Sequence, residues 1–397
     1  MPDYLTAGVA GIGGTIKETA TDFCVEEVPL YRPCGAGEHL YLWVEKTGMT
    51  TFDLVRKLAR ACRISEREIG YAGMKDARAT TRQWLSLPAA TAPRITELDL
   101  PGVKVLETGL HGNKLRLGHL AGNRFEILIR GVADDAVSRA EKIFKQLEHS
   151  GVPNLFGEQR YGILGNSHRI GRAILGGDFD AAVQEIIGNP ELIRTEDWRV
   201  AAQAFRDGGP AAALPLMPRR MNHEYMLLRE MSKGVTAKKA LLRLPAKLLR
   251  LYLSACQAEL FDRLLTARLS DPGQLLPGDI ACKHANGACF RVTDLTAEQA
   301  RADAFEISPT APLFGHKVML AEEEAGRRET AVLHASGLTL EAFRLEQGLG
   351  MAGERRPLRV PVDAIGYTLE AEGLRVRFML PKGSFATSLL RELMKTS

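Results

Sequence analysis

Several common signatures are missing from this 397-residue sequence. No apolar run approaches the ~20 residues that a membrane-spanning helix needs. The opening MPDYLTAGVAGIGG has no basic segment leading into an apolar one, so no secretory leader is expected. The six cysteines, Cys24, Cys34, Cys62, Cys256, Cys282 and Cys289, form no C-x-x-C and no spacing that suits zinc. Cys24, Cys62 and Cys256 sit among apolar residues and read as small core side chains, and a reducing cytoplasm is the simple setting. There is no G-x-x-x-x-G-K-S/T, no H-E-x-x-H and no dinucleotide-binding G-x-G-x-x-G expected, and the nine histidines are scattered. Neither a metal nor any cofactor is therefore expected. No short-period repeat or low-complexity run is visible. Charge of one sign is scarce too: 52 Lys+Arg against 48 Asp+Glu leave a formal +4, which does not by itself announce nucleic acid.

What is present is an ordinary globular balance, 45% hydrophobic and 25% charged, with length for one large domain or two to three smaller ones. In HLYLWVE, Leu40, Leu42 and Val44 alternate with Tyr41 and Trp43, the period of a strand. Residues 52–62 read as a helix with Leu54, Val55, Leu58, Ala59 and Cys62 on one face. Thr50 or Thr51 can cap it, and Arg56, Lys57, Arg60 and Arg63 fall on the other side. QWLSL, VKVLE, KLRLG and RFEILIRGV are further strand candidates. Residues 134–149 form an amphipathic helix ended by Gly151 and Pro153. After Pro153 the chain turns helix-rich until about residue 350. The strand pattern then returns in GLRVRFML, and a short helix, ATSLLRELMK, follows. This echo predicts an α+β protein in which residues 153–354 are inserted into a domain built from 1–152 and 355–397. Within the insert, residues 219–250 hold nine Lys/Arg and two Glu, a net +7. Such a run is either a solvated helical face or a track for a polyanion.

The stretch GYAGMKDARATTRQW, residues 70–84, sets one carboxylate, Asp76, on a glycine-punctuated loop between a helix and a strand. Asp76 is either a turn aspartate bonding its own backbone or a nucleophile or base kept ionised by nearby cations. Gly122-Asn123 is a turn signal, and Phe125 then starts a strand. Phe125, Phe23 in DFCVEE and Phe385 in GSFATS each read as a core ring or as a ring offered to a base. Ser384 can cap the last helix, whose N–H groups suit phosphate.

GYAGMKDARATTRQW resembles the G-x-K-D-x-x-A-x-T-x-Q signature of the TruD family of tRNA pseudouridine synthases. DFCVEE, NKLRLGHLAGNRFEI, VPNLFGEQRYG and LPKGSFATSLLREL agree with the family in the same order, and residues 190–340 agree loosely. The resemblance implies a pseudouridine synthase catalytic domain with a mixed, largely antiparallel sheet built from both chain ends, plus a helix-rich inserted TRUD domain. It implies a tRNA partner, no cofactor, and isomerisation of a uridine, typically position 13 in the D arm, to pseudouridine. Carried over residue by residue, it places the nucleophile on Asp76, a companion lysine on Lys17, and substrate contacts on Phe23, Asn123, Phe125 and Phe385. Tyr161 stands where the family commonly has Phe. A cytoplasmic monomer is the expected form.

The reaction breaks N1–C1′, turns the uracil and joins C5 to C1′. A carboxylate can open it by attacking sugar or base, or by taking a sugar proton, and these routes stay open. Each needs Asp76 ionised in a poorly hydrated pocket, with Lys17 or Lys75 as counter-ion. Two other classes remain on sequence grounds. A noncatalytic tRNA-binding or folding factor would not need Asp76. A carboxylate-dependent nucleoside hydrolase would not need a basic surface.

Overall fold

The alternation of Leu40, Leu42 and Val44 is that of a strand, and His39–Thr47 and Thr80–Pro88 are both strands in the computed structural model, which describes residues 4–396. They pair antiparallel, from His39 opposite Pro88 to Thr47 opposite Thr80. They belong to a nine-stranded sheet. Its main path runs Asp363–Glu370, Gly373–Pro381, Leu120–Val132, Phe23–Pro29, Thr80–Pro88, His39–Thr47, Val103–His111. Gly13–Thr15 joins Leu120–Val132, and Gly70–Tyr71 joins Thr80–Pro88. All these pairs are antiparallel but one. Phe23–Pro29 and Thr80–Pro88 run parallel, with Cys24 opposite Thr80. Strands from both ends of the sequence thus meet at the centre of one mixed, mostly antiparallel sheet.

Helix Thr51–Cys62 starts where Thr50 and Asp53 satisfy each other's backbone: Asp53 N–H donates to Thr50 Oγ1 at 3.1 Å and Thr50 N–H to Asp53 Oδ2 at 3.2 Å. It stops at Arg63, which takes a left-handed φ of 53°. Leu54, Val55, Leu58, Ala59 and Cys62 pack on Leu40, Leu42, Val44, Leu85 and Leu87. Each buried leucine or valine there contributes about 1.5–3 kcal/mol. Farther along the sheet, Phe125, Ile127 and Ile129 oppose Phe378, Val376 and Leu374, all buried. Helix Ala136–Ser150 buries Ala140, Ile143, Phe144 and Leu147, and Phe144 stacks on Tyr367 with ring centres 5.8 Å apart.

The chain separates into two compact units, one holding residues 4–152 and 360–396, the other Pro153–Arg359. Helices such as Ser167–Gly176, Glu196–Ala213 and Ala246–Thr266 dominate the second. It also contains an antiparallel sheet that its sequence did not announce, in the order Cys289–Arg291, Ile280–Lys283, Ile307–Leu313, Glu354–Pro357. Ile307–Leu313 is buried along its whole length and carries Pro309 and Pro312, so neither alternation nor composition marks it as a strand. Among the described residues, no helix is long and apolar enough to cross a membrane.

Four local expectations are corrected. Gly122-Asn123 is no turn: both lie inside the Leu120–Val132 strand, paired on both sides. The glycine is required there because a Cβ would stand 2.3 Å from the Leu380 carbonyl oxygen. KLRLG is not a strand; residues 114–118 form an irregular segment whose Leu115 packs with Tyr41 and Trp84. Ser384 is not the helix cap, since Phe385 occupies the N-cap of Ala386–Met394. Cys62 and Cys256 are core residues, but Cys24 is half-buried because it faces away from Phe23 and Val25. Separately, Gly348, Gly350 and Gly353 do have the G-x-G-x-x-G spacing, but a strand, Glu354–Pro357, follows them rather than a helix.

Candidate active site

The one parallel pair of the nine-stranded sheet determines where the candidate site forms. Parallel neighbours begin side by side, so the segments that lead into them arrive at the same end of the sheet. Lys17 precedes Phe23 by six residues and Asp76 precedes Thr80 by four. The ammonium of Lys17 lies 2.5 Å from Asp76 Oδ2, the pairing expected of it. The other oxygen, Oδ1, accepts the Arg78 N–H at 3.2 Å. One oxygen therefore shapes the turn and the other faces a cation. Lys17 has φ 62°, a left-handed conformation that costs a non-glycine residue about 1 kcal/mol or more.

Asp76 remains one-third exposed at its side chain. Burial raises its pKa, but the Lys17 ammonium and the N–H groups of Arg78 and Ala77 outweigh that, and the carboxyl is held below its usual 3.8. It is therefore an ionised, accessible carboxylate at neutral pH.

Lys75 has a different partner. It is buried with Glu27, Nζ to Oε2 3.0 Å, and Glu27 Oε1 also accepts the Trp84 N–H at 3.3 Å. Burial pushes the Glu27 carboxyl up, against the pull of Lys75. The loop backbone is anchored by neutral groups as well. Lys75 N–H donates to Thr51 Oγ1 at 2.8 Å, and Gln83 Nε2 donates to Gly73 O at 3.4 Å. Thr51 Oγ1 in turn donates to Gln83 Oε1 at 3.0 Å, closing the set.

An aromatic row adjoins the pair. Lys17 Nζ sits 4.4 Å from the centre of the Phe23 ring. Phe23 meets Phe125 edge-on at 6.4 Å, and Phe125 stacks on Phe378 at 5.2 Å. Phe23 and Phe125 are buried. Asn123 lies two residues before Phe125 on the same face, opposite Glu27, and its Oδ1 is buried without a hydrogen-bond partner. Such an atom awaits a donor. Phe385 stands 40% exposed on the turn after the Gly373–Pro381 strand. That turn is tied to Ala121 by the Lys382 N–H at 3.0 Å. The structure thus joins Lys17, Asp76, Phe23 and Phe125 through direct contacts, and Asn123 shares their sheet.

Sequence reasoning missed Glu27, Lys46, Thr51 and Gln83, all buried here. A signal was available: Lys46 continues Leu40, Leu42, Val44 at the inward period, as Glu27 continues Phe23 and Val25. A charge in an inward register marks a polar site within a core.

In the second unit, VPNLFGEQRYG is anchored by Asp262, which accepts the Phe156 N–H at 3.0 Å and the Tyr161 hydroxyl at 2.5 Å. Tyr161 is therefore more than a ring replacing a ring. Burial pushes Asp262 up to about 6. A cavity of about 700 Å³ opens beside it, lined by Glu158, His168, Glu259 and Arg263 among others. Its lining thus mixes carboxylates with a guanidinium and an imidazole. Of the nine cations in 219–250, Arg229, Lys233 and Arg243 converge on Glu230 and Arg220 pairs with Asp197. Lys239 and Lys247 are exposed, and so is Arg250, whose guanidinium donates to Gly348 O at 2.6 Å.

A family model described as tRNA pseudouridine synthase D (TruD) matches residues 2–393. The chain is 54% identical to the tRNA pseudouridine synthase D of Syntrophotalea carbinolica over 100% of both chains. It is 53% identical to that of Geobacter metallireducens, over 99% of this chain and 97% of the relative. A crystal structure described as a tRNA pseudouridine synthase D from Methanosarcina mazei superposes with a TM-score of 0.85 at 28% identity, covering 99% of this chain and 96% of the other.

Proposed function

The chain belongs to the tRNA pseudouridine synthase D (TruD) family, and from that premise we propose that it isomerises a uridine of tRNA, position 13 in the D arm, to pseudouridine with Asp76 as the reactive carboxylate. The observation that carries this reading is the Lys17–Asp76 pair at 2.5 Å, which leaves an ionised carboxylate accessible beside buried rings. The uridine must leave its stack to reach such a site. N1–C1′ then breaks, the uracil turns, and C5–C1′ forms. The C5 hydrogen leaves as a proton and N1 takes one up, so the change needs no oxidant and no co-substrate. The rings of Phe23 and Phe125 hold a detached base by stacking without fixing its rotation, and Asn123 Oδ1 accepts an imide N–H. Phe385 supplies a further ring. The test is tritium release from tRNA labelled at uridine C5, with carbodiimide mapping of the product. Release with the new carbodiimide stop at position 13 supports the reading. Release with the stop elsewhere moves the target, and no release overturns the activity.

The exposed lysines Lys239 and Lys247 are assigned to phosphate contact; Arg243 and Arg250 are not, because they are committed to Glu230 and to Gly348 O. Changing Lys239 and Lys247 together to Ala is expected to weaken tRNA binding and reduce the slope of log K against log salt by about one per lost phosphate contact. Filter binding at several salt concentrations checks it. An unchanged slope makes these lysines a solvated face.

A further inference from the structure

Lys46 ends the inward run Leu40, Leu42, Val44 of its strand, and its side chain is fully buried. Its Nζ donates to Met49 O at 2.5 Å and to Asp76 O at 3.0 Å. The ion pairs of this neighbourhood are Lys17–Asp76 and Lys75–Glu27, and Lys46 belongs to neither. An ammonium answered by carbonyl oxygens in a core is costly, and a neutral donor would tie the same two carbonyls without the cost of desolvating a charge. Fold stability therefore does not explain this residue. Its position does, since the other loop anchors, Thr51 and Gln83, are neutral and reach residues 75 and 73. Lys46 alone among these three holds the peptide carbonyl of residue 76.

We propose that Lys46 is a positioning residue for the reaction, fixing the residue 76 peptide so that the Asp76 carboxylate is aimed at the sugar–base junction and adding a positive charge behind it. The inference rests on Asp76 being the reactive group. A displacement of about 1 Å at a reacting atom is enough to cost about a hundredfold in rate. The charged groups facing Lys46 are Asp76 and Lys75 from the loop and Asp53 from the helix, with Lys17 behind Asp76 and Glu27 behind Lys75. Burial pulls the Lys46 ammonium down to about 8; Asp76 and Asp53 draw it up and Lys75 pushes it down. Sign follows directly: the charge is present below pH 8 and is lost as pH rises through it.

The test uses full-length protein, single-turnover conditions and tRNA, comparing wild type, Lys46→Met and Asp76→Asn between pH 7 and 9. Wild type is expected to slow as pH rises through about 8. Lys46→Met should be about a hundredfold slower at pH 7, lack that alkaline step, bind tRNA within about twofold of wild type, and stay folded at the assay temperature although the two carbonyls that lose their donor lower its melting point. A wild-type rate in Lys46→Met, or an alkaline step that persists in it, overturns the proposal. So does a fall in melting temperature and tRNA affinity that parallels the fall in rate, which would make Lys46 a scaffold residue. Full turnover by Asp76→Asn would instead overturn the premise and is read separately from the Lys46 result. Lys46→Gln keeps a donor without charge; recovery of rate without the alkaline step would assign the effect to the hydrogen bond and overturn the part given to charge.

Discussion

Asp76→Asn is expected to lower single-turnover isomerisation roughly ten-thousand-fold or more, the scale of losing a nucleophile that works with its neighbours as a unit. The substitution is suited to the question because of how the two oxygens are used. Asn retains an Oδ1 for the Arg78 N–H, so the turn keeps its bond. What disappears is the charge facing Lys17. Binding should persist within a few-fold, because phosphate contacts supply most of the affinity for tRNA. Substantial residual turnover, with the protein folded and tRNA bound, would place the reactive group elsewhere.

Lys17→Met and Lys75→Met should fail in different ways, although both lysines stand near Asp76 in the fold. For Asp76, burial is the larger influence and raises the pKa, and Lys17 is the main group holding it down. A carboxyl with a lowered folded pKa is active above that pKa and fails as pH falls through it. Without Lys17, burial is opposed by the weaker pull of the Arg78 and Ala77 N–H groups, and the acidic limb of the pH–rate profile should move upward by about 1–3 units. Lys75→Met should barely move that limb. Its cost falls on the fold, because Glu27 is left buried without its cation, a loss of about 3–5 kcal/mol. Here the sign reverses. Glu27 is already raised, and without Lys75 it rises further and binds a proton that the unfolded chain releases above its ordinary 4.5. The destabilisation is therefore larger at pH 8 than at pH 5, which urea titrations at the two values will read. An acidic limb that stays in place in folded, tRNA-binding Lys17→Met would remove Lys17 as the counter-ion.

The local part of this site could be read from the residues themselves. The helix ending at Cys62, its threonine cap, and the loop that presents Asp76 all follow from short-range pattern. The Lys17–Asp76 pair does not, because 59 positions separate its partners and only the parallel register of Cys24 with Thr80 brings them together. Strand pairing over such distances leaves no local trace. Gly122 misled for a related reason. A glycine signals either a turn or a close backbone approach, and the Leu380 carbonyl that decides between them comes from the far end of the chain. The Ile307–Leu313 strand was hidden by burial on both faces, which erases the alternation a reader looks for.

The central strand Leu120–Val132 has one neighbour, Phe23–Pro29, available early and another, Gly373–Pro381, made last. At ~5–20 residues per second the ribosome needs roughly 12–50 s to synthesise the intervening chain of about 250 residues. During that interval Phe125, Ile127 and Ile129 lie on an unfinished edge, a template for pairing with another nascent chain. The second unit can collapse meanwhile, since its contacts lie within Pro153–Arg359. Refolding is expected to show the same order. In pulsed hydrogen exchange, amides of Leu120–Val132 bonded to the last strand should gain protection together with Gly373–Pro381 and after helix Ala246–Thr266. Earlier protection of those amides would show that the two strands find each other before the insert folds. Completion of the sheet, and with it the aromatic row that includes Phe378, would otherwise act as a clock, so that a truncated synthesis product lacks a working pocket.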